Sequence, residues 1–235
     1  MGELFTQYIN GENSDVIAIG KSTLQNDGTV ISWLSKGLQA LNLHVPFKPR
    51  EPISPIKSIT IGDFALAFDP GTSWTPSAES RTVQAFMALP FGFNVSIGQI
   101  QNDLNITQGG MAVAGLATPI GASTSNIKVN NASDTSGMID IVIQNTNLSC
   151  PASQHPIFSS FNAALTNQKS AEFYLVGNSK AVASMSIGQI TLDPIKVNVS
   201  TQLLGLQGLK GLTTIDSVDV LGGTPDAINL GISGK

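Results

Sequence analysis

Residues 58–68 read SITIGDFALAF, and their alternation decides the fold class. Ser58, Thr60 and Gly62 interleave with Ile59 and Ile61. That is the period of two expected of a strand with one face in a core and one in solvent. Similar short runs recur along the chain: VIAIG (16–20), TVQAFMAL (82–89), FNVSIGQI (93–100), MAVAGLA (111–117), MIDIVI (138–143), AEFYLVG (171–177) and SMSIGQITL (184–192). Turn chemistry separates them at Asn26-Asp27-Gly28, Asp69-Pro70-Gly71, Gly109-Gly110 and Gly222-Gly223. Only two stretches carry helical spacing: Ile31, Leu34, Leu38 and Leu41, and then Phe158, Phe161 and Leu165. Many strands, regular turns and short amphipathic helices predict a mainly β protein, an antiparallel β-sandwich built of repeats with one short helix each.

Composition agrees. Charged residues are 12% of the 235, with 25 Ser, 18 Thr, 23 Gly and 12 Pro. Low charge with many β-branched residues and turn-formers excludes a disordered chain. The net charge is −4 and the only arginines are Arg50 and Arg81, so no basic patch for nucleic acid forms. The longest apolar stretches, 85–95 and 111–122, are too short to span a bilayer. Gly2 and Thr6 match the N-myristoylation pattern formally, but acidic Glu3 follows Gly2 directly. Cys150 is the only cysteine, which excludes an intrachain disulfide. Five Asn-x-Ser/Thr sequons, at Asn94, Asn105, Asn131, Asn147 and Asn198, are candidate N-glycosylation sites. They lean towards a secretory-pathway lumen, a vacuole or the extracellular space.

The chain also repeats itself. The pentapeptide SIGQI occurs at 96–100 and 186–190, yet the flanking sequences diverge. A longer register extends further. SDVIAI (14–19) resembles SGMIDI (136–141), LSKGLQAL (34–41) resembles FSSFNAAL (158–165), and PIKSITI (55–61) resembles PIKVNVS (194–200). The growing offset fits tandem copies with an inserted loop. On this reading residues 1–51 are the C-terminal part of one repeat, 52–205 a complete repeat, and 206–235 the N-terminal part of the next.

No catalytic constellation stands out. Cys150 and His155, in SCPASQHP, would make a thiol–imidazole pair, but no neighbouring carboxylate orients the imidazole. His44 could join them at a metal, but two His and one Cys form a poor ligand set. Asp63, Asp69, Asp193, Asp216, Asp219 and Asp226 fall at strand ends and turns, where aspartate bonds to backbone. GLQGLKGL (205–212) lacks the lysine–serine pair of a phosphate loop. Trp33 is expected in the core and Trp74 in a loop. No enzyme activity, cofactor or metal is expected. A second possibility is a lipid- or small-ligand module with an apolar cavity lined by Phe86, Phe91, Phe93, Phe158 and Phe161.

Three motifs carry a family resemblance: FSSFNAAL (158–165), LGLQGL (204–209) and VLGGT (220–224). With the intervening strand they resemble a fungal domain of unknown function. That domain is found in tandem in luminal parts of vacuolar and secretory membrane proteins, among them one implicated in terminating autophagy. The stretch LPFGFNVSIG (89–98) occupies, in an internal copy, the place of VLGGT and its continuation. The family is similar to the plant desiccation-associated (LEA-type) sandwich domains, which resemble fibronectin-type folds. The resemblance implies a structural or interaction module in a larger membrane-anchored protein, with adjacent repeats or other copies of itself as partners.

Overall fold

Long strands that alternate buried and exposed side chains form most of the molecule. The computed structural model describes residues 2–47, 53–69, 71–186, 188–209, 215–224 and 227–234. In chain order its elements are helix α1 (Gly2–Ile9), strand β1 (Ser14–Ile19), helix α2 (Ser32–Gln39), and strands β2 (Asn42–Phe47), β3 (Ile56–Ile61), β4 (Phe64–Ala67), β5 (Ser77–Leu89), β6 (Val95–Gln108), β7 (Met111–Asn131) and β8 (Asp134–Ser149). Helix α3 (His155–Asn167) and strands β9 (Ser170–Met185), β10 (Gly188–Leu204), β11 (Ile215–Thr224) and β12 (Ala227–Gly234) complete it. The protein is therefore mainly antiparallel β with three short helices, a sandwich-like fold as the alternation predicts.

Strands β3 to β10 form one antiparallel sheet in the order β10-β9-β6-β7-β8-β5-β3, with β4 also on β5. The sheet curls until its two edges meet. Thr201 Oγ1 on β10 donates to the Ile59 carbonyl on β3 at 2.7 Å, so a side-chain bond spans the seam. Inside lie the alternating apolar residues, among them Met87, Ile97, Ile139, Leu148, Leu192 and Ile195, all buried. Bulges keep this alternation in phase with the curl. Ile97 and Ile100 both point inwards across the bulge at Gly98, and Leu192 and Ile195 across the one at Asp193-Pro194.

Two helices close the ends. At the end where β9 begins, α3 buries Phe158 and Phe161, the latter edge-on to Phe173 at 5.6 Å. At the opposite end α1 packs on β10. Ile9 is buried, Thr6 Oγ1 accepts from the Asp193 amide, and Asn10 bonds both Pro194 and Lys196. Phe5 meets the stacked Phe91 and Phe93 rings edge-on. Gly2, the residue of the formal lipidation pattern, lies against this strand, where an added Cβ would come within 2.6 Å of the Thr191 carbonyl oxygen.

Some elements differ from the sequence reading. SITIGDFALAF is two strands, not one. At Gly62 the chain presses against Thr82, the Gly62 amide donating to the Thr82 carbonyl and the Asp63 amide to its Oγ1. A Cβ at Gly62 would collide with Thr82 Oγ1. The two SIGQI copies also differ. The first lies within β6; in the second, Ser186 ends a turn and Gly188–Ile190 start β10, with Ile187 outside the described residues. Ile97 and Ile190 nevertheless flank the same residue, Ala183.

The first and last strand pairs stand outside the curled sheet. Among the described residues strands β1 and β2 pair with each other and with no other strand, as do β11 and β12. Helix α2 half-buries Ile31, Leu34 and Leu38, yet Trp33 is 76% exposed rather than in the core. Among the described residues no sheet lies over the other face of α2. The repeat boundary expected between residues 51 and 52 falls outside the described residues.

Phe161→Ala should lower unfolding free energy by about 3–5 kcal/mol in urea denaturation, because the α3 plug leaves no room to collapse. Gly62→Ala should cost about 1–3 kcal/mol, since Thr82 must turn away and release the Asp63 amide.

Candidate interaction surfaces

The sequence-predicted chemical residues do not converge. Cys150 is buried at the end of β8, its sulfur 3.9 Å from the Pro151 carbonyl oxygen, and burial pushes its thiol pKa up. A nucleophilic cysteine needs the opposite shift. His155 instead stacks on Trp74, centroids 3.6 Å apart and planes 6° from parallel, with Trp74 in the loop position expected of it. His44 is exposed on β2. Among the described residues no cluster of three or more His, Cys, Asp or Glu could hold a metal. Asp193 pairs with Lys180 at 2.9 Å on the surface, and Asp219 accepts from Ser217. Asp226 lies outside the described residues, as do positions 210–212 of GLQGLKGL.

Among the described residues the space between the walls of the sandwich is small. Between the walls of the curled sheet, beside Leu104, Leu116 and Ile143, the cavity measures about 30 Å³, room for about one water. Its polar neighbours satisfy one another: Asn102 Nδ2 donates to Thr118 Oγ1 at 3.1 Å, and Ser179 Oγ donates to Asn102 Oδ1 at 2.7 Å. Phe158 and Phe161 fill the core rather than line a cavity. An open apolar cleft of about 230 Å³ does lie outside, between β4 and α3, lined by Phe64, Leu66, Phe68, Leu165 and Leu203. Sequence reasoning missed it because β4 reads as a continuation of β3.

All five sequon asparagines are exposed: Asn94 before β6, Asn105 in β6, Asn131 at the end of β7, Asn147 in β8 and Asn198 in β10. Asn105 and Asn198 both pair with Val176 of the strand between them, so they occupy one row of the outer face. At Asn131 the sequon is folded on itself, Oδ1 accepting from both the amide and the hydroxyl of Ser133.

Many of the exposed large apolar side chains gather elsewhere. On the first strand pair Ile17, Ile19, Leu43 and Val45 are exposed, with Leu24, Val30, Trp33 and Leu41 on its connections. On the second, Val218 lies opposite Ile232 and Val220 opposite Leu230, all exposed, with Leu221 at 73%. Neither pair carries a sequon. On the second pair Val218, Val220, Leu230 and Ile232 share one face, whereas on the first Ile17 and Ile19 lie on the face opposite Leu43 and Val45. Exposed apolar surface of this kind marks an interaction site more often than decoration.

Residues 122–234 match the model of a domain family described as a protein of unknown function (DUF3712). That stretch runs from within β7 through β12 and contains the three motifs FSSFNAAL, LGLQGL and VLGGT. Searches of curated proteins and of solved structures return no match. The chain thus carries, over this stretch, an uncharacterised domain. Among the described residues no helix is long and apolar enough to cross a membrane.

Cys150 should react with a bulky disulfide reagent such as DTNB at least about a hundredfold more slowly in the native protein than in denaturant. Equal rates would show that β8 opens readily at that end.

Proposed function

We propose that this protein is a non-enzymatic β-sandwich interaction module that associates through its free strand pairs. The observation that carries this reading is the contrast between closed and open edges. The curled sheet brings its two edges together, Thr201 bonding Ile59 across them, whereas among the described residues β1–β2 and β11–β12 leave backbone edges and apolar side chains open. An open edge with apolar faces recruits another strand by main-chain hydrogen bonding. The partner is an adjacent repeat in a longer chain or another copy of this one. The five exposed sequon asparagines support a luminal, vacuolar or extracellular setting, in which glycans would cover the sandwich and leave the free pairs bare.

Light scattering over a hundredfold concentration range tests this. Growth in mass with concentration, lost when residues 206–235 are deleted and circular dichroism shows the sandwich retained, is the expected result. A monomer of 24.5 kDa throughout would sink it.

A second reading, binding of a lipid or small apolar ligand, draws support from the cleft between β4 and α3. It departs from the inter-wall cavity expected from sequence. Native mass spectrometry separates the two: lipid retained by the wild type and absent from Leu66→Glu would favour the second. No retained mass in either would leave association alone.

A further inference from the structure

The two free strand pairs resemble, in sequence, two strands that are bonded to each other within the curled sheet. Strand β1 carries SDVIAI, which resembles SGMIDI on β8; β11 ends in VLGGT, which stands where ALPFG stands at the end of β5. In the sheet β5 and β8 pair antiparallel, with Val83 opposite Ile141, Ala85 opposite Ile139 and Ala88 opposite Ser136. The strand types that bond inside the sandwich therefore recur unbonded at its two ends.

The two ends are also unlike each other. The domain match covers 122–234, and the internal resemblances place its counterpart over roughly the first hundred residues. On that frame the curled sheet takes β3 to β6 from one copy and β7 to β10 from the next. What remains is the first half of one copy, β1–β2, and the second half of the other, β11–β12. The free pairs are complementary halves rather than like ones.

Resting on the association reading above, we infer that β11 of one molecule pairs antiparallel with β1 of a second copy of this chain, as β5 pairs with β8. The product is a four-stranded sheet in the order β2-β1-β11-β12, with the two ribbons drawn from different molecules. The contact is head-to-tail, so it runs on into longer assemblies unless two copies close it reciprocally. Thirteen large apolar side chains on the two pairs and their connections are each 47–76% exposed, apolar surface on which such a contact can draw. Strand pairing would join the backbones, and the apolar faces of the two ribbons would become continuous. The absence of sequons from 1–93 and 199–235 keeps glycans off both partners.

Complementing variants of the full chain test the pairing. Ile17→Asp places a charge on β1, and Val220→Asp one on β11. Both positions are exposed, so thermal stability should stay within a few degrees of wild type. Tyr174→Asp, on the exposed face of β9, is the control and should associate as wild type does. Each test variant alone should remain monomeric at concentrations where the wild type assembles. Mixed in equal amounts, they should form a dimer and stop there. The Ile17→Asp chain offers an intact β11, the Val220→Asp chain an intact β1, and their other ends are blocked. Association of either variant alone, or a mixture that stays monomeric, would overturn the pairing while leaving self-association intact. A wild type that never associates would sink the function reading as well.

Discussion

Backbone pairing decides where this molecule is closed and where it is open. An unpaired strand edge exposes amide and carbonyl groups that either water or another strand must satisfy. The curled sheet meets a small part of that demand internally by bringing β3 alongside β10, where Thr201 bonds the Ile59 carbonyl. The bridge is one side-chain bond rather than a ladder. The two ribbons have no such solution. Two strands cannot cover both of their own faces, so Ile19 and Val220 stay in solvent. The proposed association rests on this difference.

Within the sandwich, the constraint is to keep apolar side chains inward along strands of thirteen to twenty-one residues while the sheet curls. A strict alternation would drift out of register with that curvature. The bulges at Gly98 and at Asp193-Pro194 reset it. The same region holds the buried Asn102, Thr118 and Ser179, whose mutual bonds replace the ladder bonds lost nearby. A polar group buried there without partners would cost more than its removal. The network fills the core at a point where bulged backbone would otherwise leave donors unmet, and it leaves space for about one water rather than a ligand.

Fold class was legible because alternation is a local property. Ile59 and Ile61 declare a half-buried strand without reference to anything distant. The α3 helix was legible for the same reason, through Phe158, Phe161 and Leu165. Strand lengths were not, since the outer half of β7, GASTSNIKVN, is mostly polar and reads as a loop. It is a strand because β8 pairs with it, a fact of tertiary structure. The same limit explains Trp33 and Gly62. An amphipathic stripe announces a buried face, but whether a partner lies over it is not written in the helix. Gly62 between two apolar runs looks like part of an alternation until Thr82 is seen against it. Helix α1 gave still less warning, since its contact with β10 joins residues more than 180 apart in sequence. The two free strand pairs were visible only as sequence resemblances; their exposure required the fold.

The sequence period and the packed unit need not share boundaries. The domain match begins within β7, in the middle of the curled sheet, and ends on β12, outside it. If copies of that domain succeed one another, each sandwich is stitched from the second half of one and the first half of the next, and the β5–β8 pairing is the stitch. This arrangement makes a single copy incompetent to close a sheet by itself. It also gives any array of such copies two unlike ends, one carrying a β8-type strand and the other a β5-type strand. Unlike ends favour joining in one direction over pairing of identical ends, since the inward-facing residues of β5 and β8 are matched to each other: small Ala85 sits opposite branched Ile139. Directional joining of this kind requires no charge pattern and no ligand. It requires only that the strands left over at one end be of the type the sandwich has already paired with those at the other.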